Sequence, residues 1–90
     1  DAGMQTLIRP ALYGAYHEII NLSRWGEAKS DLADIVGPIC ETGDTLGRDR
    51  RIEHTKSGDM LLIDTAGAYG FTMSSNYNLR PQAEELIISE

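Results

Sequence analysis

The residue types that could do chemistry in this chain are concentrated in residues 37–44. This stretch contains Cys40, the only cysteine of the sequence, and Glu41 follows it directly. A glycine-proline pair at its start and a glycine-aspartate pair at its end are turn signals that break a strand. We therefore predict a stiff loop that presents a thiol and a carboxylate at the end of a strand. Reactive groups are often mounted in this way, on loops held by a rigid scaffold.

The alternative for this loop is that Cys40 is a small buried hydrophobe, which free cysteine commonly is. On these eight residues alone, the buried cysteine is the favoured interpretation. A second, independent observation is needed before the thiol can be assigned a chemical role.

A short helix is predicted to begin at Pro10. The residue before a proline avoids the helical region, whereas proline itself is favoured at the first helical position. Arg9 then lies at the mouth of the helix and Tyr13 about one turn further on, so the guanidinium and the phenol can face the same small volume. From these residues alone, a surface arginine and a core tyrosine are the favoured interpretation.

The rest of the chain is predicted to be mainly β, a β-barrel or sandwich with one or two short helices. Strands are expected at residues 15–23, at 32–40 as a buried strand, at 51–54 as a weak one, at 60–63 as a central strand and at 84–89 as a closing strand. Turns are expected at residues 25–26, 29–31, 44–47 and 56–59, and a short helix between residues 67 and 76. Short strands separated by such turns are typical of all-β domains.

Composition restricts the classes of function. Ninety residues make one domain, residues 1–90, and acidic residues outnumber basic ones by 14 to 8, for a net charge of −6. That balance argues against a nucleic-acid partner, and the short basic cluster at residues 48–51 is predicted to be a solvated turn rather than a phosphate site. No apolar run approaches the roughly 20 residues of a membrane span. A single thiol fits a reducing compartment, which predicts a cytoplasmic protein.

A metal site is not predicted. His17 begins a near match to the zinc-binding His-Glu-x-x-His motif, but Asn21 stands where the second histidine ligand would be. The isoleucines between them favour a strand over the helix that this motif requires.

Four motifs together resemble one known family. The loop GPICETGD at residues 37–44 resembles the cysteine loop of the diaminopimelate decarboxylases. The runs DAGM at 1–4, IRPALY at 8–13, and AGAYGF, MSSNYN and RP between 66 and 81 are similar to the same family in the same order. Four ordered motifs are far more specific than one loop, so the interpretation of Cys40 changes from a buried hydrophobe to a reactive thiol.

The resemblance covers only the C-terminal β-domain of these enzymes. They are pyridoxal-phosphate enzymes that combine an alanine-racemase-like (β/α)8 barrel with a β-domain, and the resemblance implies that the barrel is missing from this chain. In the family the lysine that anchors the cofactor lies in the barrel. Lys29 and Lys56 fall in polar turns here, and there is no glycine-rich phosphate loop. We therefore expect a fragment of a longer protein that is inactive alone, an expectation that the first residue, an aspartate, also favours.

The resemblance also assigns roles to individual residues. By resemblance, Arg9 and Tyr13 bind a substrate carboxylate, because a guanidinium can donate two parallel hydrogen bonds to it. Glu41 receives the ammonium group at the far stereocentre of the substrate. Cys40 is the acid that donates a proton to the substrate after carbon dioxide leaves. Tyr69 contacts the cofactor phosphate and the substrate.

The family resemblance further implies a head-to-tail homodimer with active sites at the interface. Cys40 and Glu41 are expected to reach into the site of the other subunit, whereas Arg9, Tyr13 and Tyr69 serve their own. The implied reaction converts meso-2,6-diaminopimelate, a small amino acid, to L-lysine and carbon dioxide.

Three alternatives stay open at this stage. A related decarboxylase acting on ornithine, arginine or carboxynorspermidine is the first, although the pairing of Arg9 with Tyr13 favours a substrate that has a second carboxylate. A stand-alone β-module without catalytic activity is the second. A redox protein that uses Cys40 is the third, and it lacks the second cysteine that such proteins need.

Overall fold

The computed structural model describes residues 1–89 and confirms a mainly β fold with short helices. Residues 4–6 form a turn. The regular elements are α1 (Arg9–Tyr13), β1 (Ile19–Asn21), β2 (Asp31–Val36), β3 (Thr45–Ile52) and β4 (Leu61–Ile63), with three-residue 3-10 helices at Leu22–Arg24, Phe71–Met73 and Tyr77–Leu79. No helix among residues 1–89 has the length and apolar character needed to cross a membrane.

The four strands form two antiparallel pairs that are nested along the chain. Strand β2 pairs with β3, and β1 pairs with β4, so the inner pair lies between the two strands of the outer pair in sequence. The inner pair is irregular, with register shifts between Ala33 and Val36. Opposite this irregular stretch, the backbone N–H of Asp49 donates to Asp34 Oδ1 at 2.8 Å, and Asp49 has a left-handed φ of 50°. Such β-bulges bend a strand and strengthen its twist.

The core lies where the two pairs meet. Its buried members come from the N-terminal turn and from strands β1 and β3: Leu7, Ile19, Leu46 and Ile52. Partly buried side chains from β2, β4 and the following segment pack around it: Ala33, Ile35, Ile63 and Ala66. Full burial of one such aliphatic side chain contributes about 1.5–3 kcal/mol, so this small core holds both pairs together without a disulfide.

The apolar run predicted as a buried strand over residues 32–40 is half-exposed and shorter. Strand β2 ends at Val36, and its side chains alternate between the core and solvent. Leu32 and Val36 are 58% and 61% exposed. The prediction was wrong because a continuous apolar run does not reveal whether one or both faces of a strand are covered.

Two further strand predictions fail for related reasons. Strand β4, predicted to be central, pairs only with β1 among the described residues, so it is an edge strand with Leu61 and Leu62 partly exposed. Residues 84–89 form no strand, and Ile87 is 96% exposed. Alternating apolar residues form a strand only where another strand offers them hydrogen bonds, and periodicity carries no information about that partner.

The longest strand was largely missed by sequence reasoning. Residues 44–47 and 48–51 were predicted to be turns, but β3 runs through both from Thr45 to Ile52. Charged residues normally favour turns over strand interiors. Here the bulge turns part of the charged segment outward, and Arg50 is retained by contacts with residues 16 and 17.

The most local predictions are confirmed. The helix lies where the Arg9-Pro10 pair predicts it, and it ends at Gly14, which has a left-handed φ of 66°. The turn at residues 56–59 is present, with Gly58 at φ 93° and the Asp59 N–H donating to the Lys56 carbonyl at 3.0 Å. The strand predicted over residues 15–23 is reduced to β1, because Asn21 Oδ1 accepts the N–H of Arg24 and starts a 3-10 turn.

Candidate functional site

Helix α1 brings Arg9 and Tyr13 together. The Arg9 guanidinium carbon lies 5.7 Å from the centroid of the Tyr13 ring, within the range of a cation–π contact. Both side chains are accessible, and Tyr13 is exposed rather than part of the core. The helix is fixed at its end by Gly14, whose N–H donates to the carbonyl of Pro10 at 3.0 Å. A five-residue helix thus presents a guanidinium and a phenol on the same surface.

Arg9 also lines a pocket of about 250 Å³ together with Tyr69. Tyr69 is 66% exposed and has a left-handed φ of 65°, a conformation that is uncommon for aromatic residues. Such conformations persist only where the surroundings enforce them, and they are frequent at functional sites. The remaining residues of the pocket wall are Tyr16, His17, Thr65 and Ala68.

The wall of the Arg9–Tyr69 pocket is fixed by His17 and Arg50. His17 is buried, and its Nδ1 lies 3.1 Å from the carbonyl oxygen of Asp64. A carbonyl can only accept, so Nδ1 carries the proton of this hydrogen bond. The Arg50 guanidinium donates to the His17 carbonyl at 2.6 Å and stacks 3.9 Å from the centroid of Tyr16. His17 therefore lies in the wall of this pocket, with its ring held by the hydrogen bond to Asp64.

The loop at residues 37–44 is closed at its base by Asp44. The Asp44 carboxylate is only 3% exposed and accepts two backbone N–H groups, from Ile39 at 2.7 Å and from Met4 at 2.6 Å. Its backbone carbonyl accepts the N–H of Gly37 at 3.0 Å, and its own N–H donates to the backbone carbonyl of Glu41 at 3.1 Å. Hydrogen bonds to an ionised carboxylate are about twice as strong as neutral ones, so this loop is stiff.

Cys40 and Glu41 lie exposed at the tip of this loop. The Tyr77 hydroxyl donates a hydrogen bond to Glu41 Oε1, and the side-chain amide of Asn78 lies 3.9 Å from the sulfur of Cys40. The hydrogen bond to Glu41 and the negative charge of Glu41 raise the pKa of the Tyr77 phenol, with smaller contributions from desolvation and Cys40. The phenol therefore stays protonated, as a donor, throughout the neutral range.

The five predicted site residues thus form two groups. Arg9, Tyr13 and Tyr69 surround one surface, and Arg9 and Tyr69 share a pocket whose wall includes neither Cys40 nor Glu41. The first group offers a cation and two phenols, which suit a carboxylate or a phosphate. The second offers a thiol and an anion, which suit proton donation and the binding of an ammonium group.

Sequence reasoning missed the side chains that hold the second group in place. Tyr77 and Asn78 lie in the MSSNYN motif, but no pattern connects them to a loop more than 30 residues earlier. Asp44 was recognised only as a turn signal, because its carboxylate bonds depend on how the N-terminal turn packs. For Tyr77, the one usable signal was membership of a family-like motif.

The described residues fit only part of a pyridoxal-phosphate site. Tyr69 and Arg9 could contact a phosphate or a carboxylate in their shared pocket. The lysines do not suit covalent attachment: the Lys29 ammonium lies 3.6 Å from Glu18 Oε1 on the surface, and Lys56 lies in an exposed turn. Within residues 1–89, no group of three or more His, Cys, Asp or Glu side chains is arranged to hold a metal ion.

Comparison with known proteins gives one consistent family. Residues 1–67 match the family described as pyridoxal-dependent decarboxylase, C-terminal sheet domain. The chain is 57% identical over 88 residues to diaminopimelate decarboxylase of Aquifex aeolicus, and 54% identical over 89 residues to that of Vibrio cholerae. Each alignment covers 98% of this chain and 21% of the relative, so the chain spans about a fifth of the length of these relatives.

Solved structures agree with the sequence comparison. A crystal structure from Aquifex aeolicus superposes with a TM-score of 0.82 at 59% identity, covering 92% of this chain and 20% of the other. The diaminopimelate decarboxylase of M. jannaschii in co-complex with L-lysine superposes with a TM-score of 0.83 at 45% identity, covering 91% and 18%. The fold described here is therefore that of one domain in a larger known architecture.

Proposed function

The chain belongs to the pyridoxal-dependent decarboxylases, as a C-terminal sheet domain, and on this premise we propose that it is part of a diaminopimelate decarboxylase. The chain is a single β-domain of a longer polypeptide, and the full enzyme converts meso-2,6-diaminopimelate to L-lysine and carbon dioxide in the cytoplasm. The observation that carries the proposal is the rigid loop that presents a thiol next to a carboxylate, in a chain 57% identical to a diaminopimelate decarboxylase.

Arg9, Tyr13 and Tyr69 bind the anionic ends of substrate and cofactor. The guanidinium of Arg9 makes parallel hydrogen bonds to a substrate carboxylate, and the adjacent Tyr13 phenol adds a third donor. Tyr69 contacts the substrate and the phosphate of the cofactor from the pocket that it shares with Arg9. A site with this excess of donors favours a substrate that has a second carboxylate, which ornithine lacks.

Cys40 and Glu41 act at the other end of the substrate. Glu41 binds the ammonium group at the distal stereocentre, because an exposed anion on a stiff loop favours a cationic group. Cys40 donates its proton to the substrate carbon after carbon dioxide has left. Asp44 acts on both indirectly, since it fixes the backbone that carries them.

The cofactor is pyridoxal 5'-phosphate, held by a lysine outside this chain. When bound, it draws off the electrons left on the substrate carbon by the departing carbon dioxide. Lys29 and Lys56 are both exposed on the surface, and the Lys29 ammonium lies beside Glu18, so neither replaces that lysine. The domain alone is therefore inactive.

A homodimer accounts for the separation of the two groups of residues. The pocket that contains Arg9 and Tyr69 excludes Cys40 and Glu41, so one domain does not assemble the whole site around one cavity. We propose that each domain gives Arg9, Tyr13 and Tyr69 to its own active site and Cys40 and Glu41 to that of the other subunit.

Replacing Cys40 by alanine in the full-length enzyme tests the proposal. We expect kcat for meso-diaminopimelate to fall by about 100-fold or more, the usual contribution of a positioned general acid, while KM changes by no more than a few-fold. The measurement is release of carbon dioxide from meso-diaminopimelate and, in parallel, from ornithine, which the wild-type enzyme should not decarboxylate at a comparable rate.

Thr42→Ala is the matched control for this experiment, because Thr42 is exposed on the same loop next to Glu41. It should leave both constants near their wild-type values. Unchanged turnover in the Cys40→Ala enzyme would remove the thiol from the reaction, and faster turnover of ornithine than of meso-diaminopimelate would contradict the proposed substrate.

A further inference from the structure

The side chain that contacts Glu41 comes from a distant part of the chain. Tyr77 opens the 3-10 turn Tyr77–Leu79, and its hydroxyl donates to Glu41 Oε1 across 36 positions of sequence. The segment before this turn is attached to the N-terminal turn, because the N–H of Ser75 donates to the carbonyl of Gln5 at 2.9 Å. The phenol is therefore brought to the loop by a backbone that is itself held to the buried part of the domain.

One oxygen of Glu41 is occupied by this contact and the other is available. Within residues 1–89 the structure records no hydrogen bond to Glu41 Oε2. A carboxylate held through one oxygen has its second oxygen fixed in direction, so an incoming cation meets an acceptor that is already oriented. An exposed glutamate without such a contact samples several rotamers and loses that freedom only when the ligand binds.

The same turn also approaches Cys40. Asn78 adopts a left-handed φ of 60°, which asparagine tolerates better than most residues, and its amide nitrogen lies 3.9 Å from the thiol sulfur. Two neighbouring side chains of the turn thus contact two neighbouring residues of the loop: Tyr77 contacts Glu41, and Asn78 contacts Cys40. These paired contacts indicate that the turn packs against the loop at both residues.

We propose that Tyr77 is a positioning residue that orients Glu41 to receive the distal ammonium group of the substrate. The inference rests on the proposed function, in which Glu41 binds that group. In this role Tyr77 acts through Glu41 and not on the reacting carbon. Because its contact with Glu41 raises the pKa of the phenol, Tyr77 remains a hydrogen-bond donor over the whole neutral range. Its effect is on substrate binding and selection, not on proton transfer from Cys40.

The Tyr77→Phe substitution in the full-length, cofactor-loaded enzyme removes only the hydroxyl. We expect KM for meso-diaminopimelate to rise about fivefold to tenfold, the size of one hydrogen bond, with kcat within about twofold of wild type. The KM for 2-aminopimelate, which lacks the distal ammonium group, should not change. A merely structural role for Tyr77 would instead weaken both substrates alike and lower kcat.

A double-substitution cycle separates this inference from the proposed function. In a Glu41→Ala background, Tyr77→Phe should have no further effect on KM, because the group that it orients is gone. The His54→Gln control breaks the exposed pair of His54 with Asp31 and should leave all constants unchanged. If Glu41→Ala raises KM and Tyr77→Phe does not, the inference falls and the proposed function stands. If Glu41→Ala has no effect, the assigned role of Glu41 falls, and the role of Tyr77 falls with it.

Tyrosine ionisation provides a readout that does not need activity. When the wild-type enzyme is titrated with alkali, part of the rise in phenolate absorbance should occur at a higher pH than for ordinary tyrosines. The Tyr77→Phe enzyme should lack this late phase. Glu41→Ala should move that phase to lower pH, because the acceptor and its charge are removed. The control Glu18→Ala, which removes the acceptor of Tyr16, should leave the late phase in place. A late phase unaffected by Glu41→Ala would show that the contact does not exist in solution and would overturn the inference.

Discussion

Asp44 and Asp59 each hold a turn together, but only the turn of Asp44 presents side chains suited to chemistry. The Asp44 carboxylate is buried and accepts two backbone N–H groups, from Met4 and Ile39. The Asp59 carboxylate lies nearer the surface, and a single oxygen, Oδ2, accepts three donors. These donors are the Asn21 side chain at 3.0 Å, the Arg24 guanidinium at 3.1 Å and the Lys56 N–H at 3.0 Å.

The difference lies in what each carboxylate holds. Asp59 ties its turn to β1 and to the 3-10 turn that follows, so it fastens regular elements to one another. The Asp44 carboxylate accepts only from backbone, so Cys40 and Glu41 stay exposed at the tip of its loop. A buried carboxylate that satisfies loop backbone is therefore a way to make an exposed pair such as Cys40 and Glu41 rigid without covering it.

The largest expected effect is that of Asp44→Ala. It removes two hydrogen bonds to a carboxylate and leaves the N–H of the buried Ile39 without a partner, so we expect the free energy of unfolding to fall by about 3–5 kcal/mol. Urea unfolding of the chain measures it. Asp34→Ala is the control, because Asp34 is exposed and accepts one N–H, and it should cost less than about 1 kcal/mol. Equal losses of unfolding free energy in the two variants would contradict the larger structural role assigned to the Asp44 carboxylate.

Gly37 and Gly43 lie in the same loop as Asp44, and their substitution by alanine should change stability by less than Asp44→Ala does. A Cβ on Gly37 would overlap the Asp44 carboxylate, whereas a Cβ on Gly43 would meet nothing within 4 Å. We expect Gly37→Ala to destabilise the chain by about 1–3 kcal/mol, as overpacking does, and Gly43→Ala to change stability by less than about 0.5 kcal/mol. Thermal or urea unfolding of both variants decides it. A neutral Gly37→Ala would show that the loop closes differently.

The smallest expected effect concerns Asp59 and is confined to acidic pH. Hydrogen bonds from Lys56, Asn21 and Arg24 lower the pKa of the Asp59 carboxyl from its ordinary 3.8 to about 2. A depressed pKa contributes stability above the unfolded value, and that contribution is lost as pH falls from about 4 to 2. Stability should therefore fall across this window, and less so in Asp59→Asn. An identical pH dependence in both proteins would contradict the role of Asp59.

Sequence reasoning succeeded where the cause is local. Proline after Arg9 fixes the start of α1, and Gly58 fixes a turn, because both depend on backbone preferences of neighbouring residues. It failed for β3, whose charged stretch is stabilised by a bulge and by contacts of Arg50 with residues 16 and 17. It failed again at residues 84–89, where an apolar pattern has no strand to pair with in the described structure.

For the candidate site, too, the sequence predicted only some of the features. Three of the four family-like motifs contain all five predicted site residues, and both the assignment and the roles stay predictions until the variants are measured. The contact of Tyr77 with Glu41 and the hydrogen bond of Asp44 to Met4 required coordinates, since both join positions more than 30 residues apart. Long-range hydrogen bonds depend on how elements pack, and a single sequence does not encode that packing in any local pattern.

The nested order of the strand pairs has a consequence for how the chain reaches its native state. Joining β2 to β3 closes only the short connection from Val36 to Thr45, whereas joining β1 to β4 must bring Asn21 to Leu61. The entropy lost on loop closure grows with the length of free chain, so closing the inner ladder costs less than closing the outer one. If the inner ladder forms first, the outer strands close a much shorter free segment. We therefore expect the Cys40 loop, as the connection inside the inner ladder, to be among the earliest parts of the domain to take shape.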